Sequence, residues 1–154
     1  MQESPFQIVI AEDNAADVVL VREALKAHRI DCTIHVLRDG EEALAFLDMA
    51  DSERSEKRID LLLLDLNLPK RDGEEVLKKL RSTRHYAETP VIVMTSMDAA
   101  APEMKNVIEI ASVCFPKPST LDEFLNLGEI VRELLNKESH TRPMKPSGDA
   151  EGMA

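Results

Sequence analysis

Leu61-Leu62-Leu63-Leu64 is the feature that most narrows what this chain can fold into. A strand that packs on one side alternates apolar and polar residues. Within Ile59–Leu66 the leucines occupy odd and even positions alike, which is how a strand buried on both faces of a parallel sheet reads. Phe6–Ala11, Val91–Met94 and Val113–Phe115 have the same character. A weaker run, Cys32–Leu37, alternates Cys32, Ile34 and Val36 with polar neighbours. All are strand-sized, far short of the ~20 apolar residues a membrane helix needs.

Segments of helical spacing separate these runs. Val18, Val21 and Leu25 share a face of Ala15–His28, and Ala43, Leu44 and Leu47 share one of Gly40–Met49. Val76, Leu77 and Leu80 do so in Asp72–Ser82, and Met104, Val107, Ile108 and Ala111 in Pro102–Ala111. In Thr120–Asn136, Leu121, Phe124, Val131 and Leu135 can face a sheet, leaving Leu125, Leu127, Ile130 and Leu134 on a wider arc. Thr120 and Glu123 spell a capping box at its start. Asp51–Arg58 reads as a surface loop. From Glu138 onward Pro, Gly, Ser and charge recur without periodicity, so residues 138–154 read as a polar tail, disordered on its own, after one domain over residues 1–137. Five βα units in series imply an α/β fold with a five-stranded parallel sheet and helices on both faces.

Ligands of such sheets bind beyond the carboxyl ends of the strands. The first strand ends in Glu12-Asp13, the third in Asp65 followed by Asn67, the fourth in Thr95 and the fifth in Lys117. Three carboxylates, a hydroxyl and an ammonium thus meet at one rim. Carboxylates set together raise a pKa or recruit a cation. A hard divalent ion with oxygen ligands, Mg²⁺, resolves the conflict. One carboxylate can then attack phosphorus and form an acyl phosphate, while Lys117 and the ion offset charge on the transferring oxygens. Taken singly, each residue has a plainer explanation: a turn for Glu12-Asp13, an Asx-turn for Asp65, a cap for Thr95, a surface lysine for Lys117. Those explanations leave their common address unexplained.

The net charge of −10 and the lack of a basic patch argue against nucleic acid as a partner. Cys32 and Cys114 form no motif, which fits a reducing cytoplasm, and the amino terminus lacks the pattern of a secretion signal. On opposite edge strands, ~4.8 Å per strand apart, they could not reach the ~7 Å needed for a disulfide.

The motifs Ile8-Val9-Ile10-Ala11-Glu12-Asp13-Asn14, Leu62-Leu63-Leu64-Asp65-Leu66-Asn67-Leu68-Pro69 with Asp72-Gly73, Val93-Met94-Thr95-Ser96 and Phe115-Pro116-Lys117-Pro118 resemble those of receiver domains of two-component response regulators. The resemblance spans about Phe6 to Leu135, and its opening is similar to stand-alone regulators paired with bacterial phytochromes. It implies the flavodoxin-like strand order 2-1-3-4-5. It implies Asp65 as phosphoacceptor, with Thr95 as the switch hydroxyl and Lys117 as the phosphate contact. It implies Mg²⁺ held by Glu12 (through water), Asp13, Asp65 and the Asn67 carbonyl. It implies a sensor histidine kinase as partner, with a bacteriophytochrome as the narrower candidate. Such a protein is no enzyme beyond assisting its own phosphorylation and dephosphorylation. No DNA-binding module follows Leu135, so the signal should leave by protein contacts. The surplus leucines of the last helix, with the relatives' habit, suggest a homodimer through that helix and the tail.

One departure stands out: where the family often has Tyr or Phe three residues before the lysine, this chain has Cys114, with Phe115 beside it, so either the switch is altered or Phe115 takes the role through a local shift. Two other readings compete. A haloacid-dehalogenase-like phosphatase would want an acid two residues after the nucleophile, where Asn67 stands. A degenerate receiver would have lost an acid, the threonine or the lysine, and all are present.

Overall fold

In the computed structural model, which describes residues 5–52, 58–96, 98 and 100–141, the leucine run forms strand β3 (Leu61–Asp65), buried at every position. It is the central strand of a five-stranded sheet ordered β2-β1-β3-β4-β5. The others are β1 (Phe6–Ala11), β2 (Cys32–Leu37), β4 (Val91–Thr95) and β5 (Val113–Pro116), and all pairs are parallel. The flavodoxin-like order therefore holds.

Side chains alternate across the pleat. Ile8, Ile10, Leu61, Leu63, Ile92 and Met94 pack on one face, under α1 (Ala15–Ala27), α5 (Leu121–Leu125) and α6 (Leu127–Thr141). Val9, Ala11, Leu62, Leu64, Val91 and Val93 pack on the other, under α2 (Gly40–Ser52), α3 (Gly73–Ser82) and α4 (Lys105–Ile110). Two apolar layers thus share one sheet, and few aromatics are needed to fill either.

The structure differs from expectation in three places. Helix α2 runs to Ser52, into the segment read as a loop, because Ala50 extends the buried face of Ala43 and Leu47 by one turn; residues 53–57 lie outside the described ones. The helix expected over Pro102–Ala111 opens as a 3₁₀ turn (Pro102–Met104) before α4. Met104 and Val107 are buried there, but Ile108 is 46% exposed, since a six-residue helix presents too narrow a face for both.

The third difference is at the carboxyl end. The single helix expected over Thr120–Asn136 is interrupted at Asn126. Thr120 caps α5 as expected, accepting from the Glu123 N–H at 3.3 Å. Leu127, expected on the outer arc, is fully buried with Phe124, Val131 and Leu135, being three residues after the first and four before the second on one helical face, while Leu121 is 53% exposed. Leu125, Ile130 and Leu134 are half-buried against the same layer. Gly128 lets α6 seat closely on α1: a Cβ there would lie 2.5 Å from the Ala24 carbonyl oxygen. Helix α6 continues to Thr141, past the expected start of the tail, and the rest of that tail, residues 142–154, lies outside the described residues. Cys32 and Cys114 are free, on the two edge strands.

Candidate active site

Four strand ends bring the expected side chains to one rim. Glu12 follows β1, its N–H donating to the Leu37 carbonyl at 2.9 Å. Asp65 closes β3, Thr95 closes β4 and Lys117 follows β5. Glu12, Asp65 and Thr95 are buried, Lys117 is half-buried, and Asp13 and Asn67 are exposed. Glu12, Asp13 and Asp65 bring one oxygen each to within 4.8 Å of the others. Lys117 Nζ lies 2.9 Å from Glu12 Oε1 and 3.1 Å from Asp65 Oδ2.

The placement of Lys117 follows from Pro116. Ladder donors on one side of a strand recur every second residue. The Ser112 N–H donates to the Val91 carbonyl at 3.0 Å, and two such steps lead to Pro116, which has no N–H to give. Lys117 donates instead, to the Thr95 carbonyl at 2.8 Å. The sheet ends there, and the backbones of Thr95 and Lys117 are tied together. An edge strand tolerates this proline.

Asp65 is held from both sides. The Asn67 N–H donates to its Oδ1 at 2.9 Å, and Lys117 Nζ donates to its Oδ2. The turn after it closes when the Gly73 N–H donates to the Leu66 carbonyl at 2.9 Å and Asp72 caps α3 by accepting from the Glu75 N–H at 3.0 Å. A Cβ on Gly73 would lie 2.6 Å from both the Asp65 carbonyl oxygen and the Leu66 Cα, so only glycine lets the helix approach this closely.

One residue of the site was not singled out in the sequence. Asp17, in the first turn of α1, accepts from Lys117 Nζ at 2.8 Å. Asn14 caps this helix, its Oδ1 accepting from the Ala16 and Asp17 N–H groups at 2.9 and 3.2 Å. A residue four after Asp13, on a helix that starts at the rim, comes back to the same side; that spacing was the available signal.

Burial pushes the Glu12 carboxyl up to about 7, and the neighbouring Asp65 carboxylate adds to this, against the nearby Lys117 ammonium and the Asn14 N–H. For Lys117 burial favours the neutral amine, but the carboxylates of Asp17, Glu12 and Asp65 together outweigh it and hold the ammonium above its ordinary range. Nζ is near Glu12 Oε1 but not aligned with it, so this buried oxygen has no hydrogen bond. One ammonium thus faces Glu12, Asp65 and Asp17, with Asp13 close by, so the rim is short of positive charge. The donor set is all oxygen, which fits a hard divalent cation such as Mg²⁺.

The two residues at the aromatic position lie on opposite faces of the sheet. Cys114 packs with the α2–α4 layer, whereas Phe115 is buried in the opposite layer, edge-on to Phe124 at 6.1 Å. The register Val93↔Cys114 and Met94↔Phe115 is regular, so no local shift carries Phe115 into the place of Cys114.

The family model described as the response regulator receiver domain matches residues 8–128. The chain belongs to this receiver family. Among its relatives, the response regulator Rcp1 of Synechocystis sp. is 44% identical over 92 residues, covering 60% of this receiver and 63% of Rcp1. The crystal structure of the phosphorylated cyanobacterial phytochrome response regulator RcpA superposes with a TM-score of 0.74 at 30% identity, covering 86% of this chain and 95% of that one. The Mn²⁺-bound form of Rcp1 superposes with a TM-score of 0.68 at 33% identity, covering 88% and 93%. In sequence, the receiver spans somewhat less than two thirds of the curated relatives it matches, 63% of Rcp1 and 60% of a probable methanogenesis regulatory protein of Methanothrix harundinacea.

Proposed function

We propose that this receiver is a response regulator that takes a phosphoryl group on Asp65 from a sensor histidine kinase and passes the signal on through protein contacts. The observation that carries this reading is the double restraint on Asp65: the Asn67 N–H fixes one carboxylate oxygen and Lys117 the other, with Glu12 and Asp13 alongside. A nucleophile held in one orientation reacts far faster than a mobile one.

Asp65 supplies the attacking oxygen and becomes the acyl phosphate. Lys117 places a fixed positive charge where the phosphoryl oxygens arrive. Thr95, buried at the end of the neighbouring strand, donates its hydroxyl to the phosphoryl group once it is in place. Glu12, Asp13, Asp65 and the Asn67 carbonyl would hold Mg²⁺, with Glu12 acting through water; when bound, the ion offsets negative charge on the transferring group. The likeness to the Mn²⁺-bound Rcp1 and to the phosphorylated RcpA supports extending both the ion and the modification to this chain. The same likeness supports a bacteriophytochrome as the kinase. The receiver then assists only its own phosphorylation and dephosphorylation, and it works in the cytoplasm. No helix among the described residues is long and apolar enough to cross a membrane.

The test is incubation with acetyl phosphate and Mg²⁺ followed by intact mass. The wild-type chain gains one phosphoryl group and Asp65→Asn gains none. Stable, undiminished labelling of Asp65→Asn would sink the assignment. No gain in the wild type would leave a receiver that serves only as an interaction module.

A further inference from the structure

Lys117 makes two aligned hydrogen bonds, and only one of them goes to the phosphoacceptor. The other, and the shorter, goes to Asp17 Oδ2 at 2.8 Å. Asp17 is not among the three carboxylates whose oxygens cluster within 4.8 Å, so its partner at the rim is the lysine. It comes from a different helix and lies a hundred residues from Lys117 in sequence, yet its carboxylate is only about one-fifth exposed. Three carboxylates therefore share one ammonium: Glu12 at 2.9 Å, Asp65 at 3.1 Å and Asp17 at 2.8 Å.

We propose that Asp17 is a positioning residue for phosphoryl transfer: by sharing the Lys117 ammonium with Asp65, it fixes that ammonium where the oxygens of the arriving phosphoryl group will lie. Without Asp17 the ammonium would keep one aligned hydrogen bond, to Asp65, and an unaligned ion pair with Glu12, and the flexible four-carbon lysine stem would leave it freer to swing. A second anchor on rigid helix α1 removes that freedom. In the transfer, an Asp65 oxygen forms a bond to phosphorus while the bond from phosphorus to the acyl oxygen of acetyl phosphate breaks. Its electron pair leaves on acetate, and no proton is needed. Asp65 Oδ2 then loses its full negative charge, whereas Asp17 keeps its own. Asp17 thus holds the ammonium in place while its other partner changes from a carboxylate to a phosphoryl oxygen. Asp17 also sits in the first turn of α1, where any carboxylate suits the helix dipole, so the test must separate that role from this one.

This inference rests on the phosphoacceptor reading of Asp65. Its test compares phosphorylation by acetyl phosphate with Mg²⁺, followed by intact mass, in wild type, Asp17→Ala, Lys117→Ala and the double variant. The rate at which an amine-acylating reagent modifies Lys117 is measured in parallel, without phosphodonor. Asp17→Ala should slow phosphoryl uptake about tenfold, within the range a small misplacement of a reacting group commands, and should speed acylation of Lys117. In the Lys117→Ala background the same substitution should change nothing, a non-additivity that loss of helix stability would not produce. Should Lys117→Ala alone fall below detection, the acylation rate decides. Uptake by Asp17→Ala at the wild-type rate, an equal slowing in both backgrounds, or unchanged acylation would overturn the role of Asp17 and leave Asp65 standing. A wild-type chain that gains no phosphoryl group would overturn both.

Discussion

Replacing Gly73 by alanine tests whether the fold and the site are one construction. The Gly73 backbone would accept alanine, since its φ is not in the left-handed region, so the effect comes from the added methyl alone. That methyl would lie 2.6 Å from the Asp65 carbonyl oxygen and from the Leu66 Cα, both main-chain atoms that cannot rotate away. Ordinary contact is about 3.5–4.0 Å, so α3 and the end of β3 must separate by roughly 1 Å. Overpacking of this kind costs about 1–3 kcal/mol, offset by about 0.4–1 kcal/mol from the reduced entropy of the unfolded chain. Midway through both ranges the net loss is about 1.3 kcal/mol, or a fall of roughly 3–5 °C in Tm for a chain of this size. A shift of that size in Asp65 should also slow phosphoryl uptake up to about a hundredfold. Thermal unfolding by circular dichroism and uptake by intact mass are the measurements. Lys78→Ala, in the same helix with an exposed i,i+4 ion pair to Glu74, serves as control and should cost no more than about 0.5 kcal/mol. If Gly73→Ala melts and reacts like wild type, the close approach of α3 does not position Asp65, and the reasoning fails.

Three further outcomes are expected. Thr95→Ala should accept the phosphoryl group but show a weakened change in amide exchange over residues 95–111. Each charge-assisted bond contributes about 1.5–3 kcal/mol, and a full population shift needs about 5.5 kcal/mol; an undiminished change would count against Thr95 as the switch. In Mg²⁺-free buffer the folded chain keeps a Glu12 proton that the unfolded chain has shed between pH 4.5 and about 7. That contribution is complete below the unfolded pKa and is lost as pH rises through the folded one. The urea midpoint of the wild type should therefore fall across this window more than that of Glu12→Gln, and parallel curves would contradict the assigned burial. Finally, the exposed Leu121 and the half-buried Leu125, Ile130 and Leu134 flank the buried face and leave less apolar surface for a homodimer than the sequence suggested. Sedimentation equilibrium at micromolar concentration should show a dimer, and a monomer with and without phosphorylation would remove it.

The sheet and most of the rim could be read from the sequence because both depend on short-range patterns. Leucines on both faces of β3 announce a central parallel strand, and the strand ends place Glu12, Asp65, Thr95 and Lys117 together once the strands are parallel. The break at Asn126 could not be read this way. Leu121 and Leu127 are equally apolar, and which one is buried depends on how the carboxyl-terminal helices seat on α1, a long-range contact that includes the close approach at Gly128. Asp17 escaped notice for a related reason. Its sequence neighbours describe an ordinary helix start, and its partner Lys117 belongs to another strand end altogether.

The division of the interior into two layers governs how this receiver can absorb change. Leu63 and Leu64 are adjacent in the chain, yet one packs under α1, α5 and α6 and the other under α2, α3 and α4. A void left by shortening Leu63 can be refilled only from the first group of helices, and one at Leu64 only from the second. Substitutions without shared partners add in their effects on stability. The two layers can therefore drift in composition on separate schedules, each under its own volume constraint, while the strand ends between them keep the rim in place.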